Sequence, residues 1–408
     1  LNVERFVEDC ESELSERYKT IDRISDSRLK GILKAFSKVG LTHSDLIGST
    51  GYGLGDIARD KLEKVFSILF DGEGALVRPQ MASGTHALTC VLFGLLRPGD
   101  RVVSITGTPY DTLLEVIGIR PSKGSLAEFQ ITYAQTDWRN NFKDFNLLEL
   151  PTKLVLIQRS PGYQPMNPIT IEQLEGWIKK IKSISNKLTV MVDNCYCEFA
   201  SEFEPGQVGA DLTIGSLIKN PGGGLCHTGG YIVGRKNLID LVATRVTAPG
   251  IGGEIGATWG FMMDAFRGLF LAAAATASAL KGALLWSQTF SKLGFDVKPE
   301  LNDSQVDTVV SIKLDSRELF LAFGKSIQSL SPLDSNATPE PYMQGGYEVP
   351  VMLAGGGFTA GGTADLSCDG LDKPPFWVYV QGGVNVHHVR LGICSVLEKF
   401  VRMGVCHV

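Results

Sequence analysis

The order of elements in this 408-residue chain predicts an α/β protein: a mostly parallel central sheet, then a smaller C-terminal α/β domain. Three observations carry that prediction. From residue 75 onward, short apolar runs alternate with helical stretches, the rhythm of strands joined by crossover helices. Polar groups suited to chemistry (Ser83, Tyr110, Arg159, Asp193, Lys219) each follow such a run, where parallel sheets bind ligands. From about residue 295 the rhythm changes to sparser strands and two helices.

Taken in order, residues 1–40 carry Phe6, Leu14, Ile21, Ile24, Leu29, Ile32, Leu33 and Phe36 among charges, an amphipathic helical pattern. With no evident partner in the sequence, they predict an arm lying on something else, such as a second subunit. Residues 42–55 are polar and glycine-rich and predict a loop, and 56–70 return to helical spacing. Strands are predicted over 75–78, 101–105, 129–133, 154–158, 188–192, 212–214 and 230–233. Helices are predicted from Ser83-Gly84-Thr85 through 96, over 112–118 and over 171–183. The apolar stretch 268–286 contains Lys281 and several small residues, which predicts a buried helix rather than a membrane span. Beyond it, strands over 306–314, 349–354 and 377–381 and helices over 316–330 and after 381 predict the small domain. Three segments follow: 1–55 as arm and loop for subunit contact, 56–294 as the large ligand-binding domain, and 295–408 as the small domain.

Composition narrows the function. Hydrophobic residues at 44% and charged residues at 20% are ordinary for a globular enzyme-sized chain. A net charge of −5 favours neither nucleic acid nor an anionic membrane. Eight scattered cysteines without a CxxC pair predict reduced thiols, no metal site and a cytoplasmic protein. The chain starts at Leu1 rather than Met, which leaves room for a preceding segment.

The chemistry-bearing residues form a constellation. Lys219 lies in GSLIKNPGGG at 215–224, after the predicted strand ending near Asp193. Its neighbours are small, apolar or glycine, a poor setting for a solvated surface lysine. A lysine on such a turn, behind a strand-end aspartate and a Ser-Gly-Thr loop, suggests pyridoxal phosphate: the lysine forms the Schiff base and Asp193 keeps the pyridine nitrogen protonated. Ser83, Gly84 and Thr85 open a predicted helix, where backbone amides and hydroxyls bind phosphate; the plainer reading is a helix cap. Ser216, three residues before Lys219, can reach the same phosphate. Tyr110 offers a ring to stack on the pyridine, or is a half-buried structural tyrosine.

These strings in this order resemble the Cys/Met-metabolism family of pyridoxal-phosphate enzymes, which has the aspartate aminotransferase-type fold (fold type I). The likeness is to its branch of aluminium-resistance proteins similar to methionine gamma-lyase. It is carried by GYGLGDIARD at 51–60, LVRPQMASGTH at 76–86, LRPGD at 96–100, YDT at 110–112, QRS at 158–160, VDNCY at 192–196, GSLIKNPGG at 215–223 and YVQGG at 379–383. By position, the resemblance implies Lys219 as the covalent cofactor residue and Asp193 at the ring nitrogen. It implies Ser83, Gly84, Thr85 and Ser216 on the phosphate, and Tyr110 as the stacking ring. Tyr52 matches the tyrosine the wider family lends to a neighbouring subunit's phosphate, which implies a homodimer or homotetramer with shared sites. The wider family has an arginine two residues after that tyrosine; here Leu54 stands there, and Arg59 is the nearest basic residue.

A substrate carboxylate calls for a fork-shaped donor, and Arg159 and Arg390 compete for it, with the preference slightly to Arg159. The expected activity is carbon–sulfur bond cleavage in a sulfur-containing amino acid, methionine gamma-lyase or cystathionine lyase in type, releasing thiol, 2-oxo acid and ammonia. Lys219 would move the α-proton, and Tyr110 or Lys219 would protonate the leaving sulfur. The rivals are another pyridoxal-phosphate reaction (γ-replacement or transamination), a dinucleotide-binding oxidoreductase, and a catalytically silent cofactor-binding protein linked to aluminium resistance. Against the oxidoreductase, no GxGxxG follows the first strand.

Overall fold

In the computed structural model, residues 2–52, 55–359 and 364–406 are described. The chain opens with helix α1 (Val3–Glu13), capped by the Asn2 side chain, and α2 (Ser15–Val39), which Gly40 ends in a left-handed conformation. Helix α3 (Ile57–Leu69) begins at Asp56, whose carboxylate accepts the Arg59 amide. Strand β1 (Gly74–Arg78) leads into α4 (Gly84–Leu95). Then come β2 (Arg101–Ser104), α5 (Asp111–Ile117), β3 (Thr132–Gln135) and β4 (Thr152–Gln158). Helix α6 (Ile171–Ile184) starts with a capping box between Thr170 and Gln173. Strands β5 (Thr189–Asp193), β6 (Leu212–Ser216) and β7 (Gly230–Gly234) are buried at every position, as a central sheet covered on both faces requires. Helices α7 (Lys236–Val246) and α8 (Met262–Lys292) complete the large layer.

The large sheet has seven strands in the order β1-β7-β6-β5-β4-β2-β3. Only β7 runs against its neighbours; the pairs from β6 through β5, β4 and β2 to β3 are parallel. The carboxyl ends of β1, β2, β4, β5 and β6 therefore share one edge. The second sheet follows: β8 (Val297–Lys298), β9 (Val309–Lys313), helix α9 (Arg317–Gln328), β10 (Val351–Gly355), β11 (Ser367–Leu371), β12 (Trp377–Gln381) and helix α10 (Val386–Arg402). Its order is β10-β11-β12-β9-β8, and every pairing is antiparallel.

Helix α8 ties the halves together. Met262 to Ala273 pack in the core that backs the large sheet, and Ala277 to Phe290 pack in the core of the second domain. Its length and composition would suit a membrane span, but most of its apolar window is buried within the chain.

The structure corrects three expectations. The N-terminal arm has its partner in its own chain: Val3, Val7, Cys10, Leu14 and Ile21 join Leu280, Leu284, Ile393 and Val396 in the second domain's core. The strand expected over 129–133 is displaced, running over Thr132–Gln135. Residues 126–129 make a 3-10 turn that Gln130 closes in a left-handed conformation, and pairing begins at Thr132. Helix α7 and strands β8 and β11 were not anticipated.

Candidate active site

Strand ends and the loops behind them converge on one cavity at the carboxyl edge of the large sheet. Ser83, Gly84, Thr85, Tyr110, Asp193, Ser216 and Lys219 all line it. Sequence reading named these seven, and the fold brings them together from four separate segments.

The phosphate-like end is made of short side chains. Ser83 caps α4, its Oγ accepting the His86 amide at 3.1 Å. Helix geometry leaves the Gly84 and Thr85 amides without intrahelical acceptors, and the helix dipole favours an anion there. A Cβ at Gly84 would lie 3.2 Å from Cys195 Sγ and 3.4 Å from Ser216 Cβ, so glycine keeps this corner open. Ser216 Oγ is buried and has no hydrogen-bond partner, and the residue lines the cavity. Such a group needs a ligand to satisfy it.

Asp193 ends β5 at 7% exposure. One carboxylate oxygen accepts the Cys195 amide at 3.2 Å. Burial pushes its pKa up, against the pull of that bond and of Lys219. A buried carboxylate in this setting gains most from a positive ring nitrogen. Lys219 follows β6 on a turn closed by Asn220–Gly222, and Gly223 leaves that turn with φ 55°. Its Nζ stands 3.7 Å from the centroid of the Tyr196 ring. Burial pulls its pKa down, so its amine is more readily neutral than a surface lysine's. Tyr196 holds φ 69°, a costly backbone for a bulky residue, and this backbone presents its ring to the lysine.

Tyr110 is held by two contacts. Its amide donates to Gln158 Oε1 at 2.8 Å, and its hydroxyl pairs with that of Tyr347 at 2.7 Å. Its ring lies against Gly162, where a Cβ would come within 2.7 Å of the tyrosine. Burial raises the phenol well above its usual pKa.

The residues fit pyridoxal phosphate: an unsatisfied hydroxyl and open helix start for phosphate, a buried carboxylate, a desolvated amine and an aromatic ring share one cavity.

The expected substrate arginines are elsewhere. Arg159 is wholly buried; Nη1 donates to Asn194 Oδ1 at 2.7 Å, and Nε donates to the Ile169 carbonyl at 3.2 Å. Asn194 donates in turn to Glu204, which is paired with Arg28, so Arg159 belongs to a buried network that braces the end of β5. Arg390 lies on α10 and faces Glu8 of α1 at 3.7 Å. Neither lines the cavity, where Lys219 is the one basic side chain among the described residues. Arg59 turns to Asp60 and the Glu254 carbonyl. Tyr52 is 84% exposed and absent from its own chain's cavity lining. Leu54 lies outside the described residues.

Sequence reading gave no role to Tyr163, Tyr196, Tyr379, Gln381 or Asp369, which also line the cavity. Tyr196 was within reach, three residues beyond Asp193 in a quoted string. Asp369 comes from β11, where nothing in SCDGL marks it.

Residues 3–401 match the family model described as methionine gamma-lyase. The chain belongs to that family. It is 41% identical over 401 residues to YnbB of Bacillus subtilis, a protein described as uncharacterised, covering 97% of this chain and 95% of YnbB. A Listeria monocytogenes structure, described as a candidate cystathionine beta-lyase involved in aluminium resistance, is 39% identical with a TM-score of 0.93, covering 97% and 99% of the two chains. A Clostridium novyi structure, described as a carbon-sulfur lyase involved in aluminium resistance, is 38% identical with a TM-score of 0.92, covering 98% and 96%. The architecture is that of fold type I pyridoxal-phosphate enzymes.

Proposed function

We propose that this protein is a pyridoxal-phosphate-dependent carbon–sulfur lyase that cleaves a thioether amino acid to a thiol, a 2-oxo acid and ammonia. One observation carries the reading: Lys219, Asp193 and the Ser83–Thr85 and Ser216 hydroxyls meet in one cavity from separate strand ends. The family match and the Clostridium protein's description support the same chemistry.

When bound, the cofactor supplies an electron-accepting ring that stabilises negative charge at the substrate's Cα. The chain supplies the rest. Ser83, Thr85, Ser216 and the amides opening α4 hold the phosphate. Asp193 holds the ring nitrogen's proton. The Lys219 amine, released when substrate enters, takes the proton from Cα and can return it. The Tyr110 hydroxyl, fixed by Tyr347, donates a proton to the departing sulfur. The tyrosine-lined wall excludes water from the developing charge.

The test is direct. Purified protein reconstituted with pyridoxal phosphate should show a visible band that borohydride bleaches, and should release 2-oxo acid from a panel of thioether amino acids. A bleachable band with no 2-oxo acid from any thioether would overturn the lyase reading in favour of another reaction on the same cofactor.

We further propose that two copies complete each site, with Tyr52 reaching the partner's phosphate. Tyr52 projects beside exposed Ile47, Ile57 and Trp259, which are 61%, 69% and 71% exposed, an apolar surface suited to a second copy. The chain just before it is anchored: Gly51 packs on the Gly256 backbone and the Ser49 amide donates to Thr258 Oγ1 at 2.9 Å. Mixing inactive Lys219→Ala chains with inactive Tyr52→Phe chains should restore part of the activity. A fully active monomer by sedimentation would sink this assembly.

A further inference from the structure

The cavity carries a second carboxylate that the chemistry above leaves unused. Asp369 on β11 is 9% exposed and faces the cavity. Gln381 Nε2 donates to its Oδ2 at 3.1 Å, and the nearby Tyr163 hydroxyl helps to hold its pKa down. Both partners are neutral donors. Tyrosines share the cavity with it: Tyr379 pairs with Asp369 across the strands, and the Tyr163 centroid is 5.0 Å from that of Tyr379, 5.7 Å from Tyr347 and 5.7 Å from Tyr110. Burial pushes the Asp369 carboxyl up to about 7, with Lys219 pulling the other way.

The charges of the cavity do not balance in the working enzyme. Asp193 and Asp369 face one basic side chain, Lys219. The proposed function commits that amine to the cofactor and Asp193 to the ring nitrogen. While Lys219 holds the cofactor, Asp369 has no other basic side chain in the cavity among the described residues, and a buried carboxylate without a positive partner is costly. A carboxylate in a tyrosine-lined cavity is a receptor for a positive charge, since the rings and the carboxylate attract it together. An anionic or wholly apolar group would leave that cost in place.

We propose that Asp369, with Tyr163 and Tyr379, is the subsite for an ammonium group carried on the far side of the substrate's sulfur. The preferred substrate is then an amino acid thioether whose leaving group bears an amine. This rests on the lyase reading, and the experiment separates the two. The holoenzyme is titrated with S-(2-aminoethyl)-L-cysteine and with S-propyl-L-cysteine, which differ by ammonium against methyl. Binding is read from the cofactor's absorbance change, and turnover from 2-oxo acid. The aminoethyl compound should bind at least about tenfold tighter near pH ~8, and Asp369→Asn should bring the ratio close to one.

The wild-type ratio should also shrink as the solution is acidified from about pH 8 to about pH 6, because protonated Asp369 no longer attracts the amine. Lys219, Asp193, Cys195, Cys368 and Tyr110, Tyr163, Tyr196, Tyr347 and Tyr379 also line or adjoin the cavity, and the Asp369→Asn variant, which keeps their titration and removes that of Asp369, separates its share of the pH dependence from theirs. Equal affinities in the wild type, or a preference that survives both the substitution and acidification, overturns the subsite. A preference without 2-oxo acid from either compound upholds the subsite and overturns the lyase reading. Turnover of both compounds without preference does the reverse.

Discussion

The two walls of the cavity are built differently. One wall is made by the ends of β5 and β6 and the start of α4, and carries Asp193, Ser216, Lys219 and the Ser83–Thr85 string. Its side chains are short, and backbone amides do much of the binding. The other wall comes from the antiparallel second sheet and the loop after β4, and carries Asp369, Tyr379, Gln381 and Tyr163. Its side chains are large and aromatic, with a carboxylate among them. The first wall suits a ligand of fixed shape that every turnover shares. The second suits whatever part of the substrate differs from one amino acid to the next. Substitutions on the first wall should therefore lower activity towards all substrates together, while those on the second should change their ranking.

The sharpest test of that division is Lys219→Ala. It should cut turnover of every thioether by at least ~10³-fold, because it removes both the covalent attachment and the base. The reducible visible band should vanish with it. Residual turnover that still ranks substrates as the wild type does would keep the comparison intact. A variant in which one substrate escapes the loss would break it.

Next in size is Asp193→Asn. The buried carboxylate accepts the Cys195 amide at 3.2 Å, and an amide of equal volume preserves that contact. The protein should fold and keep its cofactor. Turnover should fall ~100-fold, the loss of roughly 2–3 kcal/mol for one charge-assisted hydrogen bond. Rapid kinetics across two substrates would show whether the loss is shared, as a first-wall role requires.

The contrast between the walls also decides what the sequence could reveal. Every residue of the first wall lies just past a buried strand, within a short string of small residues, so strand prediction and local chemistry locate it together. Lys219, Asp193 and Ser216 were legible for that reason. Asp369 lies in the middle of an edge-to-edge antiparallel pairing, Asp369↔Tyr379, and no local pattern separates it from a surface aspartate. The arm failed in the same way. The apolar faces of α1 and α2 were evident, but their partners on α8 and α10 lie at the other end of the chain, beyond what periodicity can connect. Arg159 shows the opposite error. It follows a strand as the catalytic groups do, yet its side chain turns back into the protein, towards Asn194, and local position alone does not give that direction.

Ser216→Ala sharpens the first wall from the other side. The hydroxyl is buried and unsatisfied within the chain, so its removal should leave the stability of the cofactor-free protein unchanged or slightly raised. With cofactor, affinity should fall by about tenfold, or roughly 1.4 kcal/mol, measured by equilibrium dialysis. Destabilisation of the cofactor-free protein would mean that the hydroxyl has a structural task, and the phosphate role would lose its support.

The smallest expected effect tests whether the walls act independently. Tyr110 follows β2 on the first wall, and Tyr347 comes from the loop before β10 in the second domain; their hydroxyls meet at 2.7 Å. Burial raises both phenols, so neither ionises at neutral pH and the bond is one between neutral groups. Such a bond contributes about 0.5–1.5 kcal/mol. Tyr347→Phe keeps the ring that packs 5.7 Å from Tyr163 and removes only the hydroxyl. If Tyr347 positions the Tyr110 proton for the departing sulfur, kcat should fall by about 2- to 10-fold, with KM changed less. The loss should be greatest for substrates whose thiolate is a poor leaving group, because these depend most on the donated proton. The pattern to look for is a loss that tracks leaving-group pKa rather than size. A uniform change in KM with kcat untouched would instead place Tyr347 with the substrate-sorting wall, and Tyr110 would then hold its proton without help from across the cavity.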